Sequence, residues 1–207
     1  MIETLTVSVG ALQANCHIVR DSARRDCVVI DAGGDSDKIL SAMDNLGVKC
    51  AAVLLTHGHF DHMGAARALK DIGAKVYVHA EDGYMLSRIS PAGFNIGGFN
   101  AVEPDALLSG GEELDIAGLK IKVYHTAGHS RGSVTYAIDN NLYCGDLLFK
   151  ESFGRYDFEG GSFEQLKTSI DMILSLVGNY TIYTGHGPCT CSDYERKHNP
   201  MQYYGRI

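Results

Sequence analysis

Residues 50–62 have the sequence CAAVLLTHGHFDH, a near-continuous apolar run that ends in four metal-competent side chains. The apolar part has strand length, and such a run predicts a strand that is covered on both faces. His57 and His59 follow at i and i+2, so both side chains point to the same side if the backbone stays extended. Asp61 and His62 are then expected where the next helix begins, turned back toward the same pocket. One segment could therefore serve two adjacent cations.

Three further metal-competent residues stand where other strand-like runs end. They are His129 in TAGHS, Asp146 in CGDLL and His186 in TGHGP. Each lies beside glycine, which permits the close turns that aim a side chain at a shared point. Imidazole nitrogen and carboxylate oxygen are both ligands of borderline-soft divalent ions such as zinc. The pattern predicts one shared metal site.

The composition is that of a soluble globular protein, with 207 residues, 45% hydrophobic and 21% charged. A chain of this length builds a core without a structural metal, so a ligand cluster is free for chemistry. The net charge of -7 disfavours nucleic acid and anionic membranes as partners. Without a signal-like N-terminus or a long apolar run, a cytoplasmic location and reduced cysteines are expected. Cys189 and Cys191 form only a weak metal or redox signal.

The order of predicted elements indicates a single domain over residues 1–207. Three strand-like runs come first, and helical and strand-like patterns then alternate twice, which predicts two face-to-face sheets with helices outside both. Residues 87–105 lose the pattern and are expected to form a mobile loop over the site. Two apolar stripes have helical spacing: Ala65, Ala68, Leu69 and Ile72, and Phe163, Leu166, Ile170, Ile173 and Val177.

The succession of HxHxDH, GH, GD and GHG at the ends of alternating strands resembles the metallo-β-lactamase superfamily, over essentially the whole chain. This resemblance implies an α+β fold, the four-layer αββα sandwich. It also implies two divalent metal ions, zinc first, with iron or manganese as alternatives. The implied ligands are His57, His59 and His129 for one metal, Asp61, His62 and His186 for the other, and Asp146 as the bridge.

Within that superfamily, GHSRGSVTY, GDLLFKESFGRYDF and TGHGPCT followed by YERKHNP resemble the short glyoxalase II-like, hydroxyacylglutathione hydrolase-type enzymes. The implied reaction is hydrolysis of a small thioester, an S-acylglutathione-like molecule, by attack of a metal-bound hydroxide. Asp61 is the expected catalytic residue, which orients the hydroxide and handles its proton. The acyl group, the thiol and the oligomeric state stay open.

Substrate contacts are expected between Lys150 and Asp157. Lys150 and Arg155 could pair with a substrate carboxylate, and Tyr156 is a further candidate. An ion pair of Arg155 with Asp157 that only holds the loop is an equally good interpretation of the same residues.

Other functions and other roles for the remaining histidines stay open at this point. A persulfide dioxygenase with one iron is compatible with GRYDF, and ester or lactone hydrolysis fits the same metal site. A non-enzymatic relative is expected to have lost a ligand position, whereas all seven are filled here. Away from these seven, His17, His79 and His125 are expected in the core, His198 at the surface or a helix end, and Cys144 as a small buried apolar side chain.

Overall fold

The first of two six-stranded sheets is mixed. The computed structural model describes residues 1–87 and 101–204. The strands of this sheet are Ile2–Val9 (β1), Ala14–Asp21 (β2), Asp26–Ile30 (β3), Lys49–Leu54 (β4), Lys75–His79 (β5) and Ala106–Leu108 (β6). They are hydrogen-bonded in the order β1-β2-β3-β4-β5-β6, antiparallel from β1 to β3 and parallel from β3 to β6. The three opening strands and the strand β4, predicted to be covered on both faces, are thus confirmed.

The second sheet has the order β14-β13-β10-β9-β8-β7 and one parallel pair, β10 with β13. Its strands are Glu113–Ile116 (β7), Leu119–His125 (β8), Val134–Ile138 (β9), Asn141–Gly145 (β10), Thr181–Thr184 (β13) and Thr190–Cys191 (β14), and a separate hairpin consists of Leu148–Phe149 (β11) and Ser152–Phe153 (β12). Ile138 pairs with Asn141, so two residues form the turn between β9 and β10. Asp139 has a φ of 54° there, as a tight hairpin turn requires.

The helices lie in the crossovers and after the second sheet. They are Ser36–Leu46 (α1), Phe60–Met63 (α2), Ala66–Asp71 (α3), Phe163–Leu174 (α4) and Ser192–His198 (α5), with 3-10 turns at Gly83–Ser87 and Pro200–Tyr203. Gly47 caps α1 with a φ of 64°, a left-handed conformation that glycine adopts easily. Within the described part of the chain, no helix has the length and apolar character needed to cross a bilayer.

Strand β3 shows how the layers are packed. Cys27 and Val29 belong to a buried cluster with residues of α1, whereas Val28 and Ile30 face the second sheet. Successive side chains of a strand point to opposite faces, so a strand buried on both sides feeds two cores. A third cluster joins the second sheet to α4 through Leu166 and its neighbours. These three cores separate four layers, and the αββα sandwich is confirmed.

Both predicted apolar stripes extend past the helices that carry them. Ile72 is 57% exposed and Val177 is 95% exposed, and each follows the last residue of its helix, Asp71 or Leu174. Apolar spacing marks the buried face of a helix but does not fix where the helix ends. The inclusion of these two residues in the stripes was therefore wrong.

The remaining histidine predictions have mixed outcomes. His17 and His79 are buried, at 3% and 4% exposed, and His198 is exposed at the end of α5, as expected. His125 was wrongly placed in the core. It ends strand β8 on an exposed position, where its Nε2 lies 2.8 Å from the carbonyl oxygen of Arg131. The mobile loop predicted over residues 87–105 falls largely on residues 88–100, which lie outside the described residues.

Candidate metal centre

The seven predicted ligands meet at one edge of the sandwich, where several strands end. His57 and His59 follow β4, and helix α2 begins directly after His59, whose backbone is still extended at φ -70° and ψ 147°. Asp61 and His62 consequently lie in the first turn of that helix. The second sheet contributes the other three, which follow strands β8, β10 and β13 in turn: His129, Asp146 and His186.

One group consists of the three residues His57, His59 and His129. One ring nitrogen of each lies within 4.8 Å of the others. Nδ1 of His59 is 2.9 Å from Nε2 of His129, and the rings of His57 and His59 are 4.7 Å apart, nearly perpendicular. The i, i+2 spacing thus brings both side chains to the same side, as extended backbone dictates.

A second group consists of Asp61, His62 and His186, again with one ligand atom each within 4.8 Å of the others. Oδ2 of Asp61 is 3.2 Å from Nε2 of His186 and 3.6 Å from Nε2 of His62. The helix start provides two of these residues and the loop after β13 provides the third. Two groups of donors therefore lie side by side.

Asp146 lies between the two groups. Its Oδ2 is 3.6 Å from Nε2 of His129 in the first group and 3.8 Å from Nε2 of His186 in the second. Its Oδ1 is 3.5 Å from Nε2 of His62. The carboxylate that the resemblance implies as a bridge thus faces histidines of both groups.

Buried nitrogen and oxygen atoms without hydrogen-bond partners indicate that these side chains can coordinate a cation. Among the described residues, four buried side-chain nitrogen or oxygen atoms lack a hydrogen-bond partner: Nε2 of His57, His62 and His79, and Oδ1 of Asp146. Three of the four belong to the seven-residue centre. A buried polar atom without a partner is costly, and coordination of a metal ion by lone pairs of imidazole and carboxylate removes that cost. The donor set therefore fits divalent metal ions.

The close approach of the loops requires glycine at two positions. A Cβ atom at Gly185 would lie 2.1 Å from Oδ1 of Asp146 and 2.8 Å from Cε1 of His62. At Gly33 it would lie 1.8 Å from the carbonyl oxygen of Asp61. The backbone is in direct contact with the centre at both places, which any side chain would prevent.

Asp31, which the sequence analysis did not single out, is a buried residue that bonds to His62 and to the segment before His57. It follows strand β3 and is 1% exposed. Its Oδ1 accepts a 2.8 Å hydrogen bond from the backbone N–H of Thr56, and its Oδ2 accepts a 2.7 Å bond from the Thr56 hydroxyl. Oδ2 also lies 2.9 Å from Nδ1 of His62. Asp31, His57 and His62 form a third close group, but the bonds to Thr56 make Asp31 an anchor rather than a free ligand.

The pKa values of the histidines differ between the two groups. Burial, reinforced by neighbouring imidazoles, holds the pKa of His57 well below its usual value and lowers that of His59 to about 4. Burial also lowers the pKa of His129. These three rings are therefore neutral near pH 7, the protonation state in which imidazole binds a metal.

In the second group, interactions between carboxylates and histidines determine the direction in which the pKa values shift. Burial opposes protonation of His62, but Asp146 and Asp31 outweigh it and raise the pKa of His62 to about 10. Burial likewise opposes ionisation of Asp61, but the hydrogen bond from His186 prevails and lowers the pKa of that carboxyl to about 2. Asp61 is therefore ionised at neutral pH, as a ligand must be.

Two phenylalanines that the sequence analysis did not consider flank the centre. The ring of Phe158, 41% exposed, lies edge-on to the rings of His59 and His129 at 5.5 and 5.8 Å. The Phe149 ring is 6.2 Å from that of His186, a ligand candidate of the second group. Aromatic side chains at such places offer an apolar surface to a small-molecule ligand.

Arg155 contacts the centre through its backbone. Its carbonyl oxygen lies 2.6 Å from Nδ1 of His129, which fixes the ring with Nε2 toward the other ligands. Its guanidinium lies 4.2 Å from the centroid of the Phe158 ring and makes two hydrogen bonds to Asp157, of 2.9 and 2.8 Å. The ion pair considered from the sequence thus exists, and it leaves the substrate role of Arg155 as a prediction.

Lys150 and Tyr156 contact other aromatic side chains rather than the seven predicted ligands. The Lys150 ammonium is 5.5 Å from the centroid of the Tyr194 ring, and the Tyr156 ring packs against Phe163 at 5.0 Å. Their predicted substrate contacts stay predictions. The hairpin of Lys150 is held by Glu195, a fully buried residue of α5 whose carboxylate accepts from the backbone N–H of Glu151 at 3.1 Å.

Comparison with known proteins places the chain in a family. The family model of the metallo-beta-lactamase superfamily matches residues 9–186. Hydroxyacylglutathione hydrolase GloC of Haemophilus influenzae is 31% identical over 203 residues, which covers 94% of this chain and 95% of the relative.

Two solved structures are similar over nearly their whole length. The BLEG-1 B3 metallo-beta-lactamase superimposes with a TM-score of 0.86 and 33% identity, covering 97% of this chain and 98% of the other. TTHA1623, solved in a di-iron-bound form, gives a TM-score of 0.83 and 33% identity, covering 95% and 98%. Together with the donor set and the αββα layers, these matches show that the chain is a member of the metallo-β-lactamase superfamily of metal-dependent hydrolases.

Proposed function

We propose that this protein hydrolyses a small thioester of the S-acylglutathione type at a centre of two divalent metal ions. The observation that carries the proposal is the set of unpartnered buried donors, Nε2 of His57, Nε2 of His62 and Oδ1 of Asp146, in the middle of seven metal-competent side chains. His57, His59 and His129 would hold one ion and Asp61, His62 and His186 the other, with Asp146, which faces histidines of both groups, as the seventh ligand.

The residues around the centre have separate tasks. When bound, the ions supply Lewis acidity, which lowers the pKa of water and polarises the thioester carbonyl. Asp61, ionised and next to His186, orients the attacking water and accepts its proton. The rings of Phe158 and Phe149, 5.5 Å from that of His59 and 6.2 Å from that of His186, offer apolar surface for the acyl part of the substrate.

The thioester class rests on the similarity to GloC, whose name states hydroxyacylglutathione hydrolysis. Lys150 and Arg155 provide positive charge for a carboxylate on the thiol part of the substrate, and Tyr156 directly follows Arg155 in the sequence. The partner proposed is a small molecule, with neither nucleic acid nor a membrane involved.

Hydrolysis of a cyclic amide or ester is the second candidate, because BLEG-1, at 33% identity, is a B3 metallo-beta-lactamase. The same centre would serve, since attack of water on a β-lactam or lactone carbonyl develops the same oxyanion. The seven predicted ligands therefore do not discriminate between the two substrate classes, and the residues that line the substrate pocket would have to do so.

A substrate panel separates these possibilities. Protein reconstituted with zinc, iron or manganese is assayed with S-lactoylglutathione, other acyl thioesters, a chromogenic β-lactam, a lactone, and glutathione persulfide with oxygen consumption recorded. We expect thioester hydrolysis to give the highest kcat/KM. Preference for the β-lactam or lactone would replace thioesters as the substrate class, and oxygen consumption with one iron per chain would replace hydrolysis with persulfide oxidation.

Matched variants test the centre itself. Asp61→Ala and His59→Ala are expected to abolish hydrolysis while the far-ultraviolet circular dichroism stays unchanged. Asp44→Ala, on an exposed position of α1, serves as the control and should keep full activity. Full activity of either centre variant would refute the mechanism.

A further inference from the structure

Asp82 is a buried acidic residue outside the seven-residue centre. It follows strand β5 and is 0% exposed. Its own backbone N–H donates to the carbonyl oxygen of His79 at 3.0 Å, which fixes it at the end of that strand. A carboxylate is rarely buried unless it is paired or hydrogen-bonded, so its partners indicate why it is there.

The carboxylate of Asp82 connects two loops that carry histidines of the first group. Its Oδ2 accepts a 3.0 Å hydrogen bond from the backbone N–H of Gly58, the residue between His57 and His59. The same oxygen accepts a 2.6 Å bond from the hydroxyl of Ser130, the residue after His129. The three histidines thus come from two loops, and one carboxylate binds to both.

A third bond and a tight fit complete this connection. Oδ1 of Asp82 accepts a 2.8 Å bond from the backbone N–H of Gly132. A Cβ atom at Gly132 would lie 2.7 Å from Cγ of Asp82, and a Cβ atom at Gly58 would lie 2.9 Å from its carbonyl oxygen. Both loops can approach Asp82 this closely only because these positions are glycine.

The bonding pattern requires a carboxylate at this position. All three donors are neutral, and they occupy both oxygens. The isosteric amide of asparagine has an NH2 group in place of one oxygen, and this group would face the N–H of either Gly58 or Gly132. One backbone donor would then lose its partner in a buried place, and the separation of the two loops would no longer be fixed.

We propose that Asp82 is a positioning residue that holds the loops of His57, His59 and His129 at the separation a shared metal ion requires. The inference rests on the metal centre of the proposed function but does not depend on its substrate. Asp82 supports the first group, whereas Asp31 bonds to His62 of the second. Asp31 also bonds to Thr56, the residue before His57, so of these two aspartates it is Asp82 whose side-chain bonds are confined to the loops of the first group.

The test measures metal affinity for each half separately. Zn²⁺ binding is titrated against a chromophoric chelator in two backgrounds, His186→Ala, which disables the second group, and His129→Ala, which disables the first. Asp82→Asn is then added to each. Loss of a hydrogen-bonding partner around metal ligands typically weakens binding about 10- to 100-fold. We expect a loss of this size in the His186→Ala background and no change in the His129→Ala background.

The controls separate positioning from a general effect on the fold. Asp105→Asn changes a carboxylate that likewise accepts a backbone N–H, that of Val76 in β5 at 2.8 Å, but lies away from the histidine loops, and it should leave both affinities unchanged. If Asp82→Asn does not fold, Ser130→Ala removes only one of the three bonds and should give a smaller loss confined to the first group. Equal losses in both backgrounds, or none in either, would overturn the inference. A lack of thioester hydrolysis with normal metal binding would overturn only the proposed function.

Discussion

Nδ1 of His62 lies 2.9 Å from Oδ2 of Asp31, and both side chains are buried. This contact joins helix α2 to the end of strand β3 and turns Nε2 of His62 toward Asp61 and Asp146, at 3.6 and 3.5 Å. The orientation of a ligand ring is thus set by a residue that is distant in sequence. Partners of this kind fix the ring and raise its basicity toward a metal.

The first prediction concerns this anchor. Asp31→Ala would leave the N–H and hydroxyl of Thr56 and Nδ1 of His62 without their buried acceptor. Removal of one member of a buried polar pair costs about 3–5 kcal/mol, so a loss of about that size is expected in the free energy of unfolding. Urea denaturation of metal-free protein measures it, with Asp44→Ala as the exposed control. A midpoint as high as that of the control would show that water replaces the carboxylate.

A second prediction is an acid-sensitive loss of stability through His17. This ring packs against the rings of Tyr143 and Tyr183 at 5.6 and 5.4 Å, with Nε2 3.3 Å from the carbonyl oxygen of Thr184, and burial lowers its pKa to about 4. Because the folded pKa is below the unfolded value of 6.5, the unfolded chain binds the proton first. The contribution of neutral His17 is full above pH about 6.5, is lost as the pH falls toward 4, and amounts to about 3 kcal/mol.

Denaturation of chelator-treated protein at pH 7, 5.5 and 4.5 tests this. In His17→Gln the amide keeps a donor for the Thr184 carbonyl and does not titrate, so stability should fall less steeply with acid than in the unchanged protein. The comparison isolates His17 from the other buried histidines. Parallel curves for the two proteins would contradict the prediction.

Arg155 and Asp157 allow a third prediction, which separates the two interpretations of Arg155. The pair is exposed, at 65% and 59%, so neither substitution should shift the urea midpoint appreciably. If the guanidinium binds a substrate carboxylate, Arg155→Ala raises KM for an acidic thioester, and Asp157→Ala, which frees the guanidinium, lowers it. We expect these opposite changes. A rise in KM for both variants would indicate that the pair only holds the loop.

The fourth prediction concerns thiol reactivity. Of the six cysteines, Cys189 is exposed and Cys191 is half-buried, and the others are buried: Cys16, Cys27, Cys50 and Cys144. Burial also raises the pKa of Cys144 to about 12, so its thiolate is scarce at neutral pH. Ellman's reagent should react quickly with Cys189, slowly with Cys191 and with all six only in guanidinium chloride. Cys189→Ser should remove the fast phase. Reaction in native protein of any thiol other than Cys189 and Cys191 would contradict the burial of the remaining four.

Sequence patterns alone were sufficient to predict the layers of the fold and the meeting of the seven candidate ligands at one place. The apolar run that begins at Cys50, followed by HxHxDH at residues 57–62, predicted both a strand covered on both faces and the start of helix α2. Period-2 and period-3.6 spacing describes which faces are buried, and this is why the αββα sandwich could be predicted. The same spacing could not show that α3 ends before Ile72 or that His125 is exposed to solvent. The end of a helix and the burial of a residue at the end of a strand both depend on which other segments pack there.

What the sequence by itself determined is the chemistry available, because the identity and local spacing of His57, His59, Asp61 and His62 are fixed along one short segment. Only the tertiary structure decided which buried residues hold these side chains and their loops in position. Asp31 is 31 residues from His62, and Asp82 is 48 residues from Ser130, so no local pattern connects them. A signal did exist, since Asp31 directly follows a buried strand and precedes two glycines, but the partners of a carboxylate are set by the packing of distant loops. Burial then makes those partners obligatory, because an unmatched donor or acceptor has no water to replace it.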